Sequence, residues 1–209
     1  TKTGVSIFTG TEFVAVADLA GFAPTRLFAI GDDLWLATDD GAVRYVPARR
    51  TVESIDVSRG VQGEAVRWVA PDAAGRLWLA TDFGVEILDG TTFTKIDGNA
   101  GVNAGSDVRT LMFDADGFMW IGSAEGTIRK IAFYEGGVIE TAFSADQGIP
   151  GSLISAIAED ATGTIWFATD GGASQHRPSR TPPTLLPRIE IDGRAFPAGG
   201  TVPAGQHTI

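Results

Sequence analysis

The chain contains no cysteine. That single absence excludes disulfide scaffolds, thiolate metal sites and cysteine nucleophiles together. Its two histidines, His176 and His207, are too few and too far apart for a common transition-metal site, and neither lies in a motif that would orient it for Ser/His/Asp catalysis. Basic residues are also scarce: 16 Lys plus Arg stand against 26 Asp plus Glu, a formal charge of −10. A phosphate-seeking surface is not expected, so nucleic acid is not an expected partner. No apolar run approaches the ~20 residues that span a bilayer, and no charged segment followed by an apolar one opens the chain. Direct membrane contact by this chain is not expected, and no cofactor is.

What the sequence has is repetition. A strand-like run ending in Trp, a small residue and a hydroxyl, followed by a glycine turn, occurs four times: LWLATDDG, LWLATDFG, MWIGSAEG and IWFATDGG. The tryptophans are Trp35, Trp78, Trp120 and Trp166, spaced 43, 42 and 46 residues apart. A period of ~40 to 50 residues accommodates four short strands and their turns, the content of one propeller blade. The predicted fold class is all-β, a β-propeller of about four to five blades that is part of a larger or completed ring.

Within the second copy the strands are predicted at 66–70, 77–81, 85–88 and 93–96. The first two are apolar on both faces, as strands covered on both sides are. Residues 51–57 and 92–96 alternate instead. Each unit thus grades from a buried inner strand to a half-exposed outer one, as in blades packed radially around a channel. The four tryptophans are expected to pack between blades, with Ala37, Ala80, Gly122 and Ala168 leaving room for a neighbour. Residues 1–17 read as the outer half of a blade whose inner half is missing. The last repeat fades at Gln175 to Pro178, followed by a proline-rich connector. The first and last pieces could pair to complete one blade, or the chain could join further blades or a second copy of itself.

The run Asp-x-x-Gly-x-Ile/Leu-Trp-x-Ala-Thr-Asp-x-Gly at Asp72 to Gly84 resembles the two-component regulator propeller repeat of bacterial sensor proteins. The copies at Asp114 to Gly126 and Asp160 to Gly172 are similar, while the first departs, with Gly31-Asp32-Asp33 in place of the longer turn. Pro182-Pro183, Ile189 to Gly193 and Ala204 to Ile209 resemble the opening of the triple-tyrosine (Y_Y_Y) domain. The organisation is therefore expected to be propeller over 1–180, then a linker and the opening of a β-sandwich over 181–209. The resemblance implies a periplasmic ligand-sensing region of a hybrid two-component or diguanylate cyclase protein, without catalytic activity of its own. An interaction scaffold is the alternative, and a secreted carbohydrate-active enzyme a further one.

In a blade, the start of the innermost strand and the turn between the second and third strands emerge at the same end of the ring. Arg26, Arg67 and Arg109 would therefore converge with the turns at Asp39, Asp82-Phe83 and Asp170, a loop-borne site on a rigid scaffold. Three guanidiniums could grip a carboxylate or sulfate, so a carbohydrate or an anion is the expected small-molecule partner. Alternatively each arginine pairs with a turn aspartate and ties blades together. Asp114-Ala115-Asp116-Gly117 opens like a calcium loop but lacks the closing Glu, and reads as a hairpin turn. A sialidase reading fails because Asp lies three residues before Gly, not two, and because Tyr45 and Tyr134 fall on third strands away from the mouth. No catalytic and no metal-ligating residue is expected.

Overall fold

The computed structural model describes residues 3–96, 105–134, 137–177, 189–191 and 194–196. Among them the only helical segments are three short 3-10 turns, and all other regular structure is antiparallel β. The chain divides into two units, Thr1–Arg177 and Pro178–Ile209. In the second, β18 (Ile189–Ile191) pairs with β19 (Arg194–Phe196); Pro182-Pro183, the 204–209 segment and His207 lie outside the described residues.

The first unit opens with a hairpin, β1 (Ser6–Phe8) and β2 (Phe13–Ala15), and continues in four sheets whose strands are ordered as in the sequence. Blade 1 comprises β3 (Arg26–Ile30), β4 (Asp33–Thr38), β5 (Gly41–Val46) and β6 (Thr51–Ile55). Blade 2 comprises β7 (Val66–Pro71), β8 (Leu77–Thr81), β9 (Gly84–Asp89) and β10 (Thr92–Ile96). In blade 3 they are β11 (Val108–Phe113), β12 (Met119–Ser123), β13 (Ile128–Tyr134) and β14 (Gly137–Phe143); in blade 4, β15 (Ile154–Glu159), β16 (Ile165–Thr169) and β17 (Gly172–His176). The four sheets follow one another around a common axis as a four-blade β-propeller, and Arg26 of the first donates to the Ser155 carbonyl of the fourth at 2.9 Å. The strands predicted for the second copy agree with β7 to β10 to within a residue at each end.

Alternation along the second strand of each blade serves both neighbours. Trp35 packs forward with Val66, Val69 and Leu79 of blade 2, and Trp78 with Val108, Leu111 and Ile121 of blade 3. Trp120 packs with Ile154, Ile157 and Phe167 of blade 4. Burial of such rings supplies much of the energy that holds the blades in register. The inner strands add a device the sequence conceals. Their register shifts between Val66 and Trp68, between Val108 and Thr110 and between Ile154 and Ala156, and such a bulge re-aims the side chains beyond it. Aliphatic residues three apart then face the preceding blade together. The close approach is real at Gly122, where a Cβ would lie 2.5 Å from Ile154.

Two expectations are corrected here. Trp166 is not packed between blades: it is 44% exposed, against 4%, 3% and 0% for Trp35, Trp78 and Trp120, and Ala168 is exposed as well. Among the described residues of the first unit, no sheet covers that face of blade 4. The first and last pieces also do not complete one blade, because β1 pairs only with β2 and β17 only with β16 among the described residues. The N-terminal segment instead covers the rear of blade 1, where Val5 and Leu19 pack on Leu36, Val43 and Tyr45.

Candidate functional site

Every blade closes its second turn in the same way. Thr38, Thr81 and Thr169 donate through Oγ1 to the carbonyls of Gly41, Gly84 and Gly172, and accept from the backbone N–H of Asp40, Phe83 and Gly171. Ser123 does the same in blade 3, on Thr127 and Glu125. The hydroxyl of the repeat is thus a turn staple. The aspartate after it reaches the entry of its own blade: Asp82 accepts from the Ala65 N–H at 3.2 Å, and Asp170 from the N–H groups of Ser152 and Leu153 at 2.8 and 3.0 Å. The Leu153 and Ser152 amides hold the Asp170 carboxyl below the usual carboxylate range.

Of the arginines and turn residues predicted to converge at this end, Arg67 and Asp39 are in contact. Arg67 Nη1 of blade 2 meets Asp39 Oδ1 of blade 1 at 2.6 Å, and Arg109 Nη2 meets Asp107 Oδ2 at 2.6 Å within blade 3. Arg67 Nε and Asp107 Oδ1 face each other at 3.8 Å, buried and without a hydrogen bond among the described residues. The guanidinium of Arg26 lies 4.9 Å from the Trp68 ring besides its bond to Ser155. All three arginines therefore engage neighbouring groups, and Arg26 and Arg67 tie blades together. Phe83 is 57% exposed at the same end, with Lys95 Nζ 4.0 Å from its ring centroid. Asp39 also borders a cleft of about 320 Å³ shared with Asp40, Asp56, Thr38 and Ser54. Its carboxylates favour cations and hydroxyl groups over anions.

The larger cavities open at the opposite end, beside the turns between first and second strands. One of about 670 Å³ lies between blades 1 and 2, over Trp35, with Asp33, Arg44, Glu53 and Phe93 in its wall. Another, about 660 Å³, lies between blades 2 and 3 over Trp78, with Asp72, Arg76, Phe113 and Phe133. Sequence reasoning placed nothing there, although the regular Asp-to-Trp spacing was the available signal. Asp72, Asp114 and Asp160 each bend back over their turn and accept from the indole of the tryptophan six residues on, at 2.9, 2.7 and 2.8 Å. The same carboxylates accept turn N–H groups, such as Asp116 and Phe118 on Asp114. In blade 1 the shorter turn substitutes Asp33 paired with Arg44 at 2.6 Å.

Glu86, 1% exposed, accepts from the N–H groups of Gln62 and Gly63 and so pins the loop between blades 1 and 2. A lone Glu inside an apolar strand was its only trace in the sequence. Tyr45, 7% exposed, donates to Asp18 at 2.9 Å and is thus committed to structure. His176 lies partly buried, 5.5 Å from the Trp120 ring and 5.3 Å from Phe143. Burial and the Lys130 charge lower its pKa.

The third and fourth copies match the two component regulator propeller family, over residues 104–125 and 148–171. The propeller superposes on the extracellular domain described as that of the hybrid two component system BT3049 from B. thetaiotaomicron, with 20% identity and a TM-score of 0.69 over 86% of this chain and 26% of that one. It also superposes on the extracellular domain of BT4673, described as a one component system, from the same organism (17% identity, TM-score 0.58, 84% and 30% of the two chains). The WD40 β-propeller domain of Doa1 is matched at 12% identity, with a TM-score of 0.66 over 86% and 58%. This chain thus spans about a quarter of the length of the BT3049 domain. At these identities the likeness is one of fold. No curated protein sequence matches the chain.

Proposed function

We propose that this propeller is the non-catalytic sensory region of a bacterial signal-transduction protein, exposed in the periplasm, and that the 178–209 unit begins the Y_Y_Y domain of such a sensor. The observation that carries the reading is the recurrence of two component regulator propeller repeats on a propeller similar to extracellular domains of such systems. The ligand is a small carbohydrate or anion docking at the Arg26, Arg67 and Arg109 end, beside Asp39, Asp82, Phe83 and Asp170. An anion there displaces Asp39 from Arg67, and Asp39 is free to turn away because its side chain is 71% exposed. Exposed Phe83 supplies a face on which a sugar ring can stack.

Thermal unfolding is followed with glucuronate, inorganic sulfate and glucose as probes. The expected result is a rise in midpoint with glucuronate that disappears in the Arg67→Ala/Arg109→Ala variant, because a ligand that binds only the folded state stabilises it by mass action. Absence of any shift up to high concentration sinks the ligand assignment. An interaction scaffold is the second reading, favoured by the exposed Phe8, Phe13 and Ile7 of the N-terminal hairpin.

A further inference from the structure

The cleft over Trp35 carries charges that the repeat does not need. Trp35 pairs in register with Arg44, and Arg44 with Glu53 of the outer strand. In blade 2 the same register positions beside Trp78 hold Ile87 and Thr94, and that cleft is walled mainly by apolar side chains. A blade of this type therefore packs without charge at either position. Blade 1 adds a third charged group, Arg59, from the 3-10 turn Val57–Arg59 that leads to blade 2. Arg44 is held by Asp33, with Nη2 2.6 Å from Oδ2, and its guanidinium lies 5.9 Å from the centre of the Trp35 ring. Arg59 Nη1 donates to Glu53 Oε1, and Arg44 Nη1 stands 3.9 Å from the other Glu53 oxygen. The Arg59 and Glu53 side chains are 51% and 40% exposed, so their pairing is weak and open to exchange. Beside these charges the cleft is apolar: Leu77, Leu88 and Phe93 line it with Trp35, around about 670 Å³. Leu77 and Phe93 are only half-buried, and each keeps surface for a ligand.

We propose that this cleft binds a free α-amino acid with a large apolar side chain. The α-ammonium meets the Glu53 carboxylate and the α-carboxylate meets the Arg59 guanidinium, which exchanges one exposed ion pair for two charge-assisted contacts. The match lies in the separation of the charges. Glu53 and Arg59 touch each other, and an α-amino acid carries both its charges on one carbon. From that same carbon the side chain extends over Leu77 and Phe93, where its burial removes apolar surface from water. A simple carboxylate sets a like charge against Glu53, and a simple amine leaves Arg59 without a partner. A peptide separates its terminal charges and offers only one of them beside a given side chain. The volume suits a small molecule, since such sites enclose roughly 300 to 1,000 Å³. The cleft opens at the end opposite Arg26, Arg67 and Arg109, so this site stands apart from the one proposed there.

The test is calorimetric titration of the full chain with L-phenylalanine. Saturable binding at one site is expected, with 3-phenylpropionate, phenethylamine and glycine each weaker by about tenfold or more, because each lacks one of the three contacts. Glu53→Gln and Arg59→Gln are expected to weaken phenylalanine to a similar extent while melting with the parent, since an exposed pair contributes little to the fold. Arg67→Ala/Arg109→Ala is expected to bind phenylalanine as the parent does. Absence of saturable binding up to high millimolar phenylalanine overturns the proposal. Equal binding of phenethylamine or phenylpropionate overturns it too, as the paired charges are then not read, and this comparison on the unmodified chain holds whether or not a variant folds. Tighter binding of the dipeptide phenylalanylphenylalanine overturns it in favour of a peptide end. Undiminished binding by both folded single variants places the amino acid elsewhere and also overturns it.

Discussion

The indole N–H of Trp120 donates to Asp114 Oδ2 at 2.7 Å, joining the largest fully buried side chain to a turn six residues upstream. Asp114 also accepts from the N–H groups of Asp116 and Phe118. The clasp explains why the repeat couples Asp to Trp at fixed spacing: the carboxylate orders the turn and fixes the ring in one step. Asp114→Ala leaves a buried indole N–H and turn amides without partners, at a cost of ~1 to 3 kcal/mol. Urea unfolding is expected to show the loss, and Asp114→Asn to recover part of it.

The tryptophans are not equivalent. Trp120→Ala is expected to cost ~3 to 5 kcal/mol, as for a fully buried ring. Trp166→Ala is expected to cost under ~1 kcal/mol in this chain, because its ring is half in solvent already. Equal midpoints for the two variants would contradict the difference in burial between the two rings.

Stability should fall in acid for identifiable reasons. The Thr162 hydroxyl and the Trp166 indole hold the Asp160 carboxyl far below its ordinary value. Burial of Asp72 favours its neutral form, but the Trp78 indole and Arg76 outweigh it, so it too is lowered. A carboxyl lowered in the folded state contributes stability that is present above its unfolded value of ~3.9 and is lost as pH falls through the folded value. The melting midpoint is expected to be insensitive to these groups above about pH 5 and to drop below about pH 4. Asp72→Asn and Asp160→Asn should each flatten that drop.

Gly122→Ala inserts a methyl group 2.5 Å from Ile154 Cγ2 and 2.8 Å from Thr110 Cγ2. Overpacking of this kind costs ~1 to 3 kcal/mol. Ala37 and Ala80 stand at the equivalent place in blades 1 and 2, so the loss is specific to the blade 3 and 4 contact. Gly122→Ala/Ile154→Leu, which removes the β-branched methyl nearest the new Cβ, is expected to recover part of it in the same urea titration.

Arg67 connects Asp39 of blade 1 with Asp107 of blade 3. With the Arg67 side chain 25% exposed, its removal is expected to cost about 1 kcal/mol. The loss should shrink as salt is raised, because partly exposed pairs are screened. A salt-independent loss in thermal melts would assign the effect to packing of the arginine stem instead.

Much of this molecule was readable from the residues alone. Four copies of Trp, small residue, hydroxyl and Gly at one period marked the four-stranded blade and narrowed the count to about four or five, and the switch from continuous apolar runs to alternation indicated which strands lie inside. Both are local regularities, and local steric and solvation preferences write them directly into the chain. The convergence of Arg67 with Asp39 was legible for the same reason, since strand order in a blade dictates which turns share an end. What partners those arginines take was not. Whether Arg67 meets Asp39 and Arg26 the Ser155 carbonyl depends on the rotation between sheets 28 and 129 residues apart in sequence. The bulges that turn Val66, Val108 and Ile154 toward the preceding blade escape a pattern of period two, because they arise where packing between sheets overrides regular pairing. Trp166 carries the same motif as Trp35, Trp78 and Trp120, yet only the tertiary structure sets it apart. Burial is a property of what lies across the interface, and no residue encodes the presence of its neighbour.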